Sequence, residues 1–209
     1  MDNFFITFEG GEGSGKSTQA TKLYNYLIEN NLKAIKTREP GGTPSAEILR
    51  DILIKGKPER WKPLSEALLM WAARYEHVKE IILPAIDSGK FVICDRFYDS
   101  TYAYQGIAHK IGIEKMQSLK KIVIGGLEPS LTFILDIDPK EGLKRTRLRK
   151  DGEDRFENFN IQFHKDLREA YLKLADMFPS RCKIISGSLS VDEISKLIIA
   201  KTKERFNIP

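Results

Sequence analysis

The chain has 209 residues, of which 41% are hydrophobic and 30% are charged. This length and apolar content fit one folded domain with a sizeable core and exclude an extended disordered chain. The 34 basic and 29 acidic residues give a net charge of +5. That balance suits an enzyme of small anionic molecules, and without a compact Lys/Arg block it does not favour nucleic-acid binding.

The lack of targeting signals and the setting of the two cysteines favour one cellular compartment. No apolar run approaches the ~20 residues needed to span a bilayer, and the N-terminus lacks the charged-then-apolar pattern of a signal peptide. Cys94 and Cys182 lie in apolar stretches without zinc-site spacing. We interpret them as two buried strand thiols in a reducing compartment. We therefore expect a cytoplasmic protein that associates with neither a membrane nor nucleic acid.

Short apolar runs alternate with longer amphipathic segments along the chain. The runs are as short as buried strands and are nearly continuously apolar, which is typical of a parallel sheet covered on both faces. The predicted strands are 4–8, 34–37, 91–94, 131–136 and 182–185. The predicted helices are 16–29, 64–86, 113–124, 139–149, 160–177 and 191–206, with a further short helix carrying Arg50. Strands alternating with helices predict βαβ units.

A glycine-rich stretch joins the first strand to the first helix. It reads FEGGEGSGKST and matches the P-loop pattern Gly-x-x-x-x-Gly-Lys-Ser, with a strand before it and a helix after it. Glycines let the backbone turn its N–H groups toward phosphate oxygens, and the helix N-terminus adds partial positive charge. We predict that the following residues bind ATP: Gly10, Gly11, Glu12, Gly13, Ser14, Gly15, Lys16, Ser17 and Thr18.

The pattern of elements and the P-loop together predict the fold class. We expect an α/β, three-layer P-loop fold in which helices flank a five-stranded parallel sheet. Residues 1–209 are predicted to form a single domain. The polar, Gly-containing stretch RKDGEDRF lies in a short mobile lid at about 145–157.

An acid at the end of a strand predicts the metal site. Strand 91–94 runs into Asp95, at the carboxyl end where a magnesium-binding acid belongs in such folds. We predict that Asp95 and the Ser17 hydroxyl organise Mg²⁺ and that Lys16 bridges the β- and γ-phosphates of ATP. The P-loop by itself does not choose among a kinase, an ATPase and a GTPase.

Other features favour a small-molecule kinase. The guanine-reading motif Asn-Lys-x-Asp is missing after the later strands, which disfavours a GTPase. Phosphoryl transfer needs arginines that converge from several segments. Candidates are Arg38, Arg50, Arg74, Arg96 and the lid arginines Arg145, Arg147, Arg149 and Arg155. Arg74 stands out because it lies on a largely apolar helix, where an unpaired charge is costly.

Several specific blocks carry a family resemblance over essentially the whole chain. They are FEGGEGSGKST, TREPGGT at 37–43, AAR at 72–74, CDRFYDSTYAYQG at 94–106, GLEPSLTFILDIDPKEGLKR at 126–145 and DRFE at 154–157. With these blocks the chain resembles the bacterial-type thymidylate kinases. The resemblance implies ATP-dependent phosphorylation of dTMP for dTTP synthesis, with Mg²⁺, and a homodimer formed through the helix at 64–86. The alternatives are a kinase of another nucleoside monophosphate and, less favoured, a P-loop ATPase or switch protein.

The resemblance also implies substrate-binding roles. It assigns the monophosphate to Arg50 and Arg96, and the thymine edge to Arg74 and Gln105. An arginine donor beside an amide that both donates and accepts suits such a base edge. The remaining implied contacts come from Glu39, from a hydroxyl at Ser100 or Thr101, from Tyr104 beneath the deoxyribose, and from Glu12, which accepts a hydrogen bond from the 3′-hydroxyl.

Two assignments stay open at this point. Where many relatives have a phenylalanine that stacks on thymine, this chain has Met70 followed by Trp71, and either side chain is suited to the contact. The P-loop also lacks the arginine that some relatives place there, so the resemblance implies that the lid supplies it. We predict Arg149 for this role, then Arg147, acting with Lys16, Arg96 and Asp95 as the catalytic set.

Overall fold

The protein is built on a five-stranded parallel sheet. The structure is a computed structural model and describes residues 3–146 and 155–208. Its strands pair in the order β2-β3-β1-β4-β5, and every pairing is parallel. The strands are β1 (Phe5–Glu9), β2 (Ala34–Arg38), β3 (Phe91–Asp95), β4 (Leu131–Asp136) and β5 (Cys182–Ser186). The predicted sheet is confirmed.

Apolar side chains cover both faces of this sheet. Along β1, Phe5 belongs to one buried cluster, whereas its neighbour Ile6 belongs to the other. Because successive strand residues point to opposite faces, each strand contributes to both layers of core. Trp71 and Leu167 pack on the Phe5 side, and the helices Lys16–Glu29 and Val191–Phe206 close the Ile6 side. Cys94 and Cys182 are buried free thiols, as predicted.

Helices connect the strands and supply these layers. Several of them begin at side-chain caps: Thr43 accepts from the Ala46 N–H, Asn160 accepts from the Phe163 N–H, and Ser190 forms a reciprocal capping box with Glu193. The helices are α1 (Lys16–Glu29), α2 (Pro44–Ile54), α3 (Pro63–His77), α4 (Leu83–Asp87), α5 (Tyr98–Thr101), α6 (Ile113–Ile124), α7 (Pro139–Thr146), α8 (Ile161–Met177) and α9 (Val191–Phe206).

The helix predicted at 64–86 has the expected extent but not uniform geometry. A π-helical turn, Val78–Ile82, separates α3 from α4. Pro84 has no N–H and its ring clashes with the preceding turn, so a local widening of the helix accommodates it. A second π-helical segment, Tyr102–Ala108, continues α5. This short helix was not predicted from the sequence, because its apolar residues do not recur at the three- and four-residue spacing of an amphipathic helix.

The fold places the carboxyl ends of the five sheet strands at one edge. Phe8 of β1 is in register with Asp95 of β3, which is in turn in register with Arg38 of β2. From β1 the chain runs to β2, beyond β3 on one side, and from β3 it crosses to β4 on the other side of β1. Open sheets bind ligands at the crevice where the connections diverge in this way. In the part of the chain that the structure describes, no helix combines the length and apolar character needed to cross a bilayer.

Candidate active site

The P-loop is shaped by backbone contacts that exclude side chains. Gly13 has φ +67°, and a Cβ added there would lie 2.0 Å from the Gly142 carbonyl oxygen of α7. A Cβ on Gly142 would in turn lie 2.3 Å from the Glu12 carbonyl oxygen. Only glycine fits this approach in a left-handed conformation. The loop is therefore seated directly on the first turns of α7, without a side-chain layer between them.

Lys16 is folded over the mouth of this loop. Its Nζ donates to the carbonyl oxygens of Gly11 (2.7 Å) and Gly10 (3.1 Å) and to the Ser14 hydroxyl (3.3 Å). Burial and the neighbouring Arg96 lower the Lys16 pKa to about 8, while Glu12 opposes the shift. The ammonium group thus stands where phosphate oxygens would replace the loop carbonyls as its partners.

Ser17 and Asp95 form a direct hydrogen bond at the start of α1. The hydroxyl donates to Oδ2 of the carboxylate at the end of β3. Mg²⁺ prefers hard oxygen ligands and is held in kinases by one or two side chains together with substrate phosphates and water. A hydroxyl and a carboxylate within reach of each other and of the P-loop fit that requirement.

Arg96 and Glu12 form the ion pair at the centre of the site. The Arg96 guanidinium donates to Glu12 Oε1 over 2.9 Å, and the Tyr104 hydroxyl donates to the same oxygen. Burial would raise the Glu12 pKa, but the cations Arg96 and Lys16 outweigh it and lower the pKa to about 2. Arg96 adopts φ +69°, an uncommon conformation for a non-glycine residue that turns its side chain into the cavity.

A buried acid lies behind Arg96. Glu9 accepts from the Phe97 N–H (2.7 Å) and the Ser100 hydroxyl (2.6 Å), and Ser100 also accepts from Arg96 (3.1 Å). Burial, with the neighbouring Asp99, raises the Glu9 pKa to about 7. The sequence analysis did not identify Glu9. Glu9 could have been identified from its position, because a charged residue at the end of a buried strand and directly before the P-loop needs a polar partner.

A cavity of about 400 Å³ extends from the P-loop toward α3. This volume lies within the range found for small-molecule binding sites. Every residue predicted to bind the second substrate lines it: Glu12, Glu39, Arg50, Met70, Arg74, Arg96, Ser100, Thr101, Tyr104 and Gln105. Phe156 also lines the cavity and packs edge-to-face on Tyr104 at 5.5 Å, a contact that the sequence did not predict. Gly10, Gly11 and Thr18 lie outside its lining.

The structure separates Met70 from Trp71. Met70 lines the cavity, whereas Trp71 is 1% exposed and belongs to the core. The Arg74 guanidinium lies over the Trp71 ring at 4.5 Å, so Trp71 supports Arg74 from below. The geometry therefore favours Met70 as the side chain that meets a base in the cavity.

Arg74 is held by three groups at the far end of the cavity. It donates to Glu39 Oε2 (2.7 Å), to the Thr101 hydroxyl (3.0 Å) and to the Phe97 carbonyl (3.1 Å). Glu39, whose peptide bond to Pro40 is cis, also contacts His77 Nδ1 at 3.0 Å. This buried network fixes Arg74 before any ligand binds. His77 was not predicted from sequence, because a histidine on a helix carries no distinctive pattern.

Gln105 contacts a second buried acid, Glu66, rather than Glu39. Its amide nitrogen donates to Glu66 Oε1 over 2.6 Å, and Glu66 Oε2 is paired with Arg155. Arg50, on α2, donates to the Pro40 carbonyl at 2.9 Å.

Of the four arginines predicted around the lid, the structure describes Arg145 and Arg155. Arg147 and Arg149 lie outside the described residues. Arg145 is exposed and donates to the Gly187 carbonyl at 3.3 Å from both terminal nitrogens. Arg155 was predicted to flank a mobile lid as a candidate catalytic cation. The candidate catalytic role is wrong, because Arg155 is 0% exposed and its guanidinium is used by Glu66 and by backbone carbonyls.

The fold and the site define a class, a P-loop α/β protein with a nucleotide cradle opening onto a second, cation-lined cavity. The family model described as "Thymidylate kinase" matches residues 8–198. The thymidylate kinase of Bradyrhizobium sp. strain BTAi1 is 44% identical, over 97% of this chain and 90% of the relative. That of Geobacillus sp. strain WCH70 is 43% identical, over 99% of both.

Solved structures agree with these relatives. The crystal structure of thymidylate kinase from Ehrlichia chaffeensis superposes with a TM-score of 0.77 at 35% identity, covering 97% of this chain and 99% of that one. The chain belongs to the thymidylate kinase family.

Proposed function

We propose that the protein phosphorylates dTMP to dTDP with ATP as the phosphoryl donor and Mg²⁺ as the cofactor. The observation that carries this proposal is the Glu12–Arg96 ion pair, which lies where the P-loop meets the cation-lined cavity. Family membership supports the substrate. Two anionic substrates bound on either side of this pair would have their phosphates next to each other.

The donor side consists of the P-loop and two oxygen ligands. Lys16 exchanges its loop carbonyl partners for the β- and γ-phosphate oxygens of ATP. Ser17 and Asp95 would hold Mg²⁺. The bound ion would offset the negative charge on the transferred phosphoryl group. These roles require no movement of the strand that carries Asp95.

The acceptor side consists of the residues that line the cavity. Arg96 and Arg50 bind the dTMP phosphate, and Arg74 and Gln105 bind the base edge, with Met70 against its face. Tyr104, held by Glu12, occupies the sugar region and leaves little space for a 2′-hydroxyl. Steric exclusion of this kind discriminates by clash rather than by a lost contact.

The chemistry is a direct in-line displacement. An oxygen of the dTMP phosphate attacks the γ-phosphorus of ATP, the bond to the β–γ bridging oxygen breaks, and ADP leaves with those electrons. Charge spreads over the transferred oxygens, where Lys16, Arg96 and a lid arginine stabilise it. We assign that last role to Arg149, then Arg147.

Three further features belong to the proposal. Residues 1–209 act as one kinase domain with a lid at about 145–157. The protein works in the cytoplasm. It forms a homodimer through α3, where Leu64 (49%), Leu68 (50%) and Tyr75 (45%) are exposed apolar side chains that an interface would cover.

The test is an ADP-release assay with Mg-ATP and a panel of monophosphates: dTMP, dUMP, dCMP, dAMP and dGMP. We expect rapid ADP formation with dTMP, abolished by EDTA and restored by excess Mg²⁺. Asp95→Asn should raise the Mg²⁺ concentration needed for half-maximal rate, with Asp87→Asn as the matched control. ATP hydrolysis that ignores every monophosphate would refute the kinase assignment, and preference for another base would refute the substrate.

A further inference from the structure

Gln105 of the base-reading pair has a fixed orientation before substrate binds. Its amide nitrogen lies 2.6 Å from Glu66 Oε1, and both side chains are 1% exposed. An ionised carboxylate only accepts hydrogen bonds. The end of the amide that faces Glu66 must therefore be the NH₂ group, whichever way the amide is first drawn. The carbonyl oxygen is left for the cavity.

Glu66 is in turn fixed by a buried arginine. Its second oxygen contacts the Arg155 guanidinium, which is 0% exposed. Arg155 also donates to three backbone carbonyls, those of Leu53 (2.9 Å), Lys57 (3.1 Å) and Pro58 (2.7 Å). These bonds anchor the cation to the end of α2 and the turn after it. Neither Glu66 nor Arg155 lines the cavity, so neither touches a ligand there.

We propose that Glu66, held by Arg155, is a positioning residue that sets the hydrogen-bonding sense of Gln105. This inference rests on the proposed function. With its nitrogen committed to Glu66, Gln105 presents an acceptor to the base, while the remaining N–H groups of Arg74 present donors beside it. The pair accepts a base edge with a carbonyl next to a ring N–H. Thymine and uracil have that edge, and cytosine has the reverse arrangement.

A purely structural role for this ion pair makes a different prediction. If Glu66 only stabilised the fold, its loss would lower activity toward every substrate in parallel. If it orients Gln105, its loss allows the amide to rotate and offer NH₂ to the cytosine ring nitrogen. The ratio of kcat/KM for dTMP to that for dCMP then falls. This ratio separates the two roles, because a general loss of active enzyme cancels from it.

The experiment measures this ratio for the wild type and for Glu66→Gln. A site that pairs with a substrate N–H rejects the wrong edge strongly, so we expect the ratio to fall at least about tenfold. The ADP affinity of the P-loop should be unchanged. Glu80→Gln, the same chemical change at an exposed position after α3, is the matched control and should keep the wild-type ratio. An unchanged ratio in folded Glu66→Gln overturns the proposal.

Glu66→Gln leaves the Arg155 charge buried without its anion, so a second variant removes both charges. Glu66→Gln with Arg155→Met should show the same fall in the ratio, and a wild-type ratio there also overturns the proposal. A third measurement needs no variant of the ion pair. In the amide NMR spectrum, the Gln105 NH₂ signal, assigned by its loss in Gln105→Met, should remain hydrogen-bonded when dTMP binds. Release of that signal on dTMP binding contradicts the proposed orientation.

A failure of this inference is distinguishable from a failure of the proposed function. Wild-type protein without dTMP kinase activity would refute the function. Active wild-type protein whose variants keep the wild-type ratio would leave the function standing and refute only the role of Glu66.

Discussion

The Arg96 guanidinium donates to the Glu12 carboxylate over 2.9 Å, joining the residue after β3 to the middle of the P-loop. An acid in a loop that binds phosphate would ordinarily repel its ligand. Here its charge is matched by Arg96 and Lys16, which keep the Glu12 pKa near 2 despite burial. In the proposed function, Glu12 orients the cations of the acceptor site while the loop backbone remains free for ATP.

The first prediction concerns this ion pair. In Glu12→Gln, Arg96 loses its anionic partner and Tyr104 loses a charged acceptor, so the acceptor site is less well ordered. We expect kcat/KM for dTMP to fall about 10- to 100-fold, which matches one charge-assisted hydrogen bond. The KM for ATP should change less than about threefold. Glu141→Gln on α7 is an exposed control. Equal losses for both substrates would show that Glu12 serves the whole loop.

The second prediction concerns pH and Glu9. Its pKa is raised from 4.5 to about 7 in the folded protein, so folding favours the protonated acid and is opposed by ionisation. The preference for the protonated acid adds its full contribution to the unfolding free energy of the wild type below about pH 4.5. That contribution is lost as the pH rises through 7. Glu9→Gln stays neutral. Its unfolding free energy relative to wild type should therefore rise between pH 4.5 and 7, by at most about 3 kcal/mol.

Glu12→Gln provides the opposite control in the same denaturation series. Because the Glu12 pKa is lowered to about 2, its ionised form stabilises the wild type above pH 4.5. That advantage is lost as pH falls through 2. Parallel pH profiles for the two variants would contradict the assigned directions.

The third prediction distinguishes Met70 from Trp71. Met70→Ala removes a side chain that lines the cavity, so the KM for dTMP should rise about tenfold, in line with the burial energy of one apolar side chain. Its melting temperature should change little. Trp71→Phe removes core volume and should instead lower stability by about 2 kcal/mol. A larger KM effect from Trp71→Phe than from Met70→Ala would reverse the assignment.

The fourth prediction separates the lid arginines by what each does. Arg149→Ala should lower kcat by roughly 10²-fold or more, as expected for a cation that stabilises phosphoryl transfer. Arg145→Ala, which removes an exposed side chain whose partner is the Gly187 carbonyl after β5, should be near wild type. Arg155→Ala should lower the unfolding free energy by about 3 kcal/mol, because it leaves Glu66 buried without a partner. A near wild-type rate for Arg149→Ala would move the role to Arg147.

Local patterns were enough to predict the sheet, the P-loop and the proximity of Ser17 and Asp95. The strand ending in Asp95 and the glycine-rich turn into α1 are each contained within a short stretch, so their spacing reports their geometry. The substrate-binding residues were accessible through the family resemblance. The structure then brought all of them to one cavity.

The buried polar network was not predictable in the same way. Glu66, His77 and Arg155 find their partners only through tertiary folding, since Arg155 contacts a helix far away in the sequence. A charged residue in a polar stretch looks the same whether it is solvated or buried against carbonyls. For that reason Arg155 was a candidate for the cation that stabilises phosphoryl transfer. The π-helical turn at Val78–Ile82 escaped prediction because a period of apolar residues does not distinguish it from an α-helix.

The contact between Gly13 and Gly142 has a mechanical consequence. Two backbones that touch with no side chain between them have no compressible layer to absorb displacement. A shift of α7 must therefore carry the P-loop with it. A methyl group at either glycine would act as a wedge and push the P-loop and α7 apart.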